Sequence, residues 1–213
     1  GVLAAQVSLS ADEGALAVSM LDRELRRQCV AGHVARLMAP FSISDEEAAL
    51  AAMAQCLGSA LIAYHFPEEA AQILRLMQEL PATEPDARPT PGMQPEAAVS
   101  AVLGVELAEL TAAVLHHWGL NERLLAAARS LNRSNSVRKP VTREETLRAV
   151  ASLANELAAT VLLEAEKQPS AVHQVYVRYT RALDLTPKEC IQNLDLATRL
   201  VDGRRRPEPV NPA

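Results

Sequence analysis

Three times along this chain a hydroxyl residue is followed, three positions later, by a glutamate: Ser10 with Glu13, Ser44 with Glu47, and Thr142 with Glu145. In such a box the hydroxyl accepts from the third residue's backbone N–H, and the carboxylate reaches back to the first residue's N–H. Each box therefore predicts a helix start. Thr186-Pro187 followed by Glu189 adds a proline at the favoured first helical position, and Pro95-Glu96 suggests a fifth start. Apolar residues then recur at three- and four-residue intervals: Leu50, Met53, Leu57, Leu61; Leu103, Leu107, Leu110, Val114; and Leu147, Val150, Ala154, Leu157, Val161. Each set makes one stripe on a helix. No alternating strand pattern stands out, so the expected fold class is all-α, with about seven to nine helices.

Composition agrees. Hydrophobic residues make up 49% of the 213, yet aromatics only 3%, so the core must be aliphatic. Alanine and leucine lose little conformational freedom in a helix, whereas the residues that favour sheet are scarce. The formal net charge of −5 argues against non-specific nucleic-acid binding. Cys29, Cys56 and Cys190 are far apart and odd in number, which favours neither a disulfide framework nor a zinc finger. No apolar run approaches a membrane span of roughly 20 residues, and no leader pattern opens the chain. The expectation is a cytoplasmic chain with neither nucleic acid nor membrane among its partners.

Two places break the helical pattern. Prolines at 81, 85, 89, 91 and 95 exclude regular helix and predict an exposed loop with nothing to pack. Asn132 to Pro140 is polar and basic. The organisation expected is a single helical domain over 1–203 and a flexible tail over 204–213, extended from Gly203 onward.

Candidates for chemistry are few. Cys29 and His33, four apart on one helix face, make half of a metal site; the other half is missing, and a buried cysteine beside a surface histidine is the plainer reading. His116-His117 point about 100° apart on a helix and cannot easily chelate one ion. Their place before Gly119 suits a helix end, where cations meet free carbonyls. His65, before Phe66-Pro67, also reads as a helix end. No phosphate-cradling glycine motif or nucleophile elbow is present, and Arg204-Arg205-Arg206 reads as a solvated tail.

Two stretches carry a resemblance together. One runs from Glu46-Glu47 through Gln55-Cys56-Leu57-Gly58 to His65-Phe66-Pro67-Glu68-Glu69. The other runs from Leu103-Gly104-Val105-Glu106-Leu107 to Trp118-Gly119-Leu120. In this order and spacing, over roughly residues 20 to 165, the chain resembles the HDOD domain, a degenerate relative of the HD-type metal-dependent phosphohydrolases. The resemblance implies a compact orthogonal bundle, with the family's N-terminal helical half shortened or missing. Where catalytic relatives carry a His-Asp pair this chain has Gln55-Cys56, and where they carry a later histidine it has Leu107. By looser alignment Arg27, Leu131-Asn132 and Asn155 stand at other ligand positions.

Such a site needs anionic or imidazole ligands. Glutamine and asparagine are weak ligands, leucine is none, and arginine repels a cation. The resemblance thus implies no catalysis, no metal and no cofactor, and a regulatory or scaffolding role in bacterial signalling beside a protein partner or fused signalling domain. The alternative is a small-ligand domain, binding a nucleotide or cyclic dinucleotide in a vestigial pocket of Arg27, Gln55, Cys56, Leu107, Asn132 and Asn155. A metal-dependent phosphohydrolase is the third reading. A convergent open pocket would favour ligand binding, and a plugged one scaffolding.

Overall fold

The computed structural model describes residues 11–78, 90–131 and 136–205, without the side chains of 11–13, 17, 204 and 205. The described residues form nine helices and no strand: α1 (Ala11–Met38), α2 (Asp45–His65), α3 (Pro67–Met77), α4 (Pro95–Leu103), α5 (Leu107–His117), α6 (Glu122–Ala127), α7 (Arg143–Thr160), α8 (Gln168–Leu183) and α9 (Pro187–Arg205). The all-α expectation holds.

Four of the five expected helix starts can be checked. Thr142 makes its full box: its hydroxyl accepts from Glu145 N–H at 3.1 Å, and the Glu145 carboxylate accepts from the Thr142 N–H. Thr186 and Glu189 do the same for α9. Ser44 accepts from Glu47 N–H at 3.1 Å, but the Glu47 carboxylate is taken by Arg143 of α7. An ion pair between helices has replaced the second half of that box. Pro95 opens α4 as expected, while Ser10 and the Glu13 side chain lie outside the described residues.

The chain divides into two compact units, each assembled from two stretches: 1–24 with 58–110, and 25–57 with 111–213. The core of the first unit joins Met20, Ile62, Ala63, Ala70, Ile73, Ala98 and Val99, with Leu103, Leu107 and Leu110 packed against it. Pro67 stops α2 at His65 and starts α3, since it lacks the N–H that a continuing helix would use. The stripe expected over Leu103 to Val114 is not one helix. Gly104 takes a left-handed φ of 68°, donates to Ser100 O, and ends α4 before α5 begins.

Most of the proline-rich stretch, residues 79–89, lies outside the described residues. Its end is exposed at Thr90, Pro91, Met93 and Gln94, as expected, but its backbone is fastened to the end of α3, which was not. Met93 N–H donates to Leu76 O at 2.8 Å, and a Cβ on Gly92 would lie 2.1 Å from the Met77 carbonyl oxygen. Gly92→Ala must displace backbone, which no rotamer change can relieve. The expected cost is about 2 kcal/mol, read as a lower urea midpoint; an unchanged midpoint would show that the segment is not seated there.

The second unit has α7 at its centre. Eleven of its eighteen residues are buried, including Ser152 and Asn155, so it is enclosed on nearly every side and not by one stripe. Val30, Val34, Ala48, Ala51, Tyr179, Cys190 and Ala197 belong to the cluster around Leu147, Val150, Leu153 and Leu157. In α2 the expected stripe is corrected: Leu50 and Met53 are exposed, and the buried face within this unit is Ala48, Ala51, Ala52, Ala54 and Cys56. Small residues let the helix axes approach closely, and the larger side chains stay at the flank. By length and composition α2 could cross a membrane, which corrects the expectation that no run approaches that length. More than half of its apolar window is nonetheless buried within the protein.

The Trp118-Gly119-Leu120 stretch also has a physical meaning. Gly119 is left-handed at φ 73°, its N–H donates to His116 O, and Leu120 N–H donates to Leu115 O. Those two bonds are a Schellman closure of α5, and Leu115 and Leu120 belong to one apolar cluster, as that closure favours. His116 and His117 sit in the last turn, the helix-end position expected of them. At the other terminus α9 continues through Gly203 to Arg205, so the first residues of the expected extended tail are helical; 206–213 lie outside the described residues.

Candidate functional site

Gln55 and Cys56 leave α2 about 100° apart, and α7 meets both with two residues one turn apart, Ser152 and Asn155. Asn155 binds the α2 side in three ways. Its amide nitrogen donates to Ala52 O at 2.9 Å and to Gln55 Oε1 at 3.1 Å, and its Oδ1 accepts from the Cys56 thiol. The same nitrogen reaches Ala151 O at 3.0 Å within α7. Gln55 Nε2 donates to Ala127 O at 2.8 Å and to Ser152 Oγ at 3.2 Å, and Ser152 Oγ accepts from Leu131 N–H at 3.1 Å.

Burial defines what this group can do. Cys56 and Ser152 are each 1% exposed and Asn155 7%. Each polar group points at another one, and the outlying contacts are backbone carbonyls and an N–H. In a low-dielectric interior such a network rigidifies the fold because every alternative leaves a group unpaired. It clamps α2, α7 and the chain after α6 together, with Gln55 half-buried at its edge.

Of the residues expected to share a pocket, Gln55, Cys56 and Asn155 come into direct contact. Arg27 is half-buried on α1. Leu107 is half-buried against the core of the first unit and serves as packing. Asn132 lies outside the described residues, although its neighbour Leu131 joins the network through its N–H. Ser152 was missed by sequence reasoning; a serine in a helix otherwise apolar on nearly every side is the signal that could have found it.

The remaining titratable groups do not assemble a metal site: among the described residues no three of His, Cys, Asp and Glu come together. Cys29 is exposed and His33 half-buried, the reverse of the expected arrangement. The Cys190 thiol is pushed up to about 11 by burial and by the neighbouring Glu189 charge, which makes it a poor nucleophile. An apolar cleft of about 470 Å³ lies between α8 and α9, walled by Val172, Tyr176, Ile191 and Leu194. Its one carboxylate, Asp195, is held by Arg199.

A family model described as HDOD domain matches residues 3–133, more than half of the chain. The match begins earlier and ends earlier than the motifs suggest, so Asn155 in α7 lies beyond it. No curated protein and no solved structure matches the chain.

Proposed function

The chain belongs to the HDOD family, and from that premise we propose that it is a non-catalytic regulatory or scaffolding module of cytoplasmic signalling, acting on a protein partner or a fused signalling domain. The observation that carries the reading is the closed network of Gln55, Cys56, Ser152 and Asn155. At the positions where the resemblance sets metal ligands, this chain has neutral side chains that spend their hydrogen-bonding capacity on one another. A cation would have to break several of these bonds and would find no anionic ligand in return.

The same closure favours scaffolding over a small ligand in that pocket, because a ligand would need to displace well-made buried hydrogen bonds. Helices clamped in this way move as a body, which suits a module that transmits through packing.

The test is direct. The purified protein, incubated with manganese or magnesium, is assayed on bis-p-nitrophenyl phosphate and on cyclic nucleotides, and its metal content is measured after dialysis. Turnover no faster than the protein-free control is expected, with no stoichiometric metal retained. Metal-dependent hydrolysis that disappears in Asn155→Ala would reverse the reading.

A further inference from the structure

The basic stretch before α7 is not absorbed by a scaffolding role. Residues 136–140 run extended between the α6 side and α8, with Val137 N–H held by Arg178 O at 3.2 Å. Together with the first turns of α7 they enclose a cavity of about 270 Å³, lined by Ser136, Arg138, Lys139, Glu145 and Arg148 over an apolar floor that includes Leu131 and Ala149.

The charges in this cavity are unequal. Arg148 donates to two neutral carbonyls, Arg129 O at 2.7 Å and Ser130 O at 3.0 Å, and no carboxylate pairs with it among the described residues. The carbonyls fix the plane of the guanidinium without neutralising it. Arg138 approaches Glu145 only at 3.7 Å, and Lys139 reaches Asp184 at 3.2 Å through an exposed pair. Glu145, the one carboxylate among the described residues of the lining, is committed to the helix cap: the N–H groups of Val141 and Thr142 hold its carboxyl below the usual range against an opposing effect of desolvation, with the charge of Arg138 a lesser contribution in the same direction. Among the described residues that line the cavity, three cations thus face the one carboxylate of Glu145, already engaged in the cap, and Asp184 offsets Lys139 from outside the lining.

We propose that this cavity binds a small phosphorylated ligand, its phosphate on Arg148, Arg138 and Lys139 and its remaining body on the apolar floor. Guanidinium groups match the spacing of phosphate oxygens, and a guanidinium already oriented by carbonyls loses little freedom on binding. The volume admits a phosphate with a sugar or a base-sized group. The site is distinct from the Gln55–Asn155 network, and it touches that network's edge through Leu131, whose N–H binds Ser152.

Adenosine 5′-monophosphate, inorganic phosphate and adenosine are the probes, titrated into the whole chain at low ionic strength and followed by equilibrium dialysis and by the amide resonances of residues 136–140. Saturable binding of the monophosphate, competed by phosphate and roughly tenfold or more weaker for adenosine, is expected. Phosphate binding as tightly as the monophosphate identifies free phosphate as the ligand and supports the same chemistry. Arg148→Gln should weaken binding by roughly tenfold. Because Arg148 also supports two carbonyls, the double variant Arg138→Gln/Lys139→Gln, at exposed side chains, serves as the second arm with its melting temperature checked. The proposal is overturned by adenosine binding as well as the monophosphate, by variants that bind like the wild type, or by no saturable binding of either phosphate-bearing probe.

Discussion

Asn155→Asp is expected to destabilise the chain by about 3–5 kcal/mol at neutral pH. The change exchanges one NH2 for an oxygen, so packing volume is not at issue. The Asn155 amide nitrogen faces three acceptors, Ala52 O, Ala151 O and Gln55 Oε1, all within 3.1 Å. A carboxylate there would set an anion against three oxygens in a site 7% exposed. Burial and those oxygens both disfavour the charged form, so the folded-state pKa of the introduced acid lies above its unfolded value. The penalty is then smallest below the unfolded carboxyl pKa of about 4, grows as pH rises, and levels off above the folded pKa. Urea unfolding of wild type and variant from pH 4 to pH 8 would reveal this as a gap that widens with pH. A gap that is constant, or that narrows toward pH 8, contradicts the geometry. Asn155→Leu should cost less at pH 8 and show no such pH dependence, since it removes hydrogen bonds without adding a charge.

That result bears on why an amide, and not an acid, suits position 155. An aspartate in such a site is tolerable only when a cation sits against it. With Gln55 and Cys56 opposite, an anion has nothing to neutralise it, and the amide supplies the donor that the surrounding carbonyls require. Asn155 bonds to both Gln55 and Cys56, so the roles of the three side chains are joint.

Much of the local structure is legible in the sequence. Capping boxes are local, so Thr142, Thr186 and Ser44 announced their helices. The Gly119 turn was legible for the same reason. What failed depended on distant neighbours. The leucine stripe of α2 looked like a core face, but the choice between it and the alanine face was made by α7, which buries small residues on nearly every side and needs close approach. Glu47 looked like half of a box, and nothing nearby in sequence shows that Arg143, 96 residues away, would claim it. Gly92 looked like open loop because close approach to the Met77 carbonyl leaves no local signature. That Gln55, Cys56 and Asn155 come together was expected from the resemblance, and they do meet. The site was not legible as a closed network, because closure depends on Ser152 and on the backbone of Ala127 and Leu131.

The second large effect is expected at Glu156. Its carboxylate on α7 takes both oxygens to Arg178 Nη1 of α8 at 2.6 Å, and Oε1 also accepts from the Tyr179 hydroxyl at 2.7 Å. Both charged side chains are only 11% exposed, and Tyr179 is fully buried. Removing the carboxylate alone takes from the half-buried guanidinium its anionic partner and from the buried phenol the acceptor at 2.7 Å, so Glu156→Leu should cost about 3–5 kcal/mol. Removing the charges together should cost far less, because two well-packed apolar side chains avoid the desolvation that the ion pair must overcome. Glu156→Leu/Arg178→Met, carried with Tyr179→Phe to remove the hydroxyl that donates to Glu156, should therefore recover most of the loss. Urea unfolding across the single, double and triple variants measures the coupling. A triple variant no more stable than Glu156→Leu would mean that the ion pair itself holds α8 on α7. Recovery means that the pair is tolerated there and that apolar packing around Tyr179 holds the two helices together.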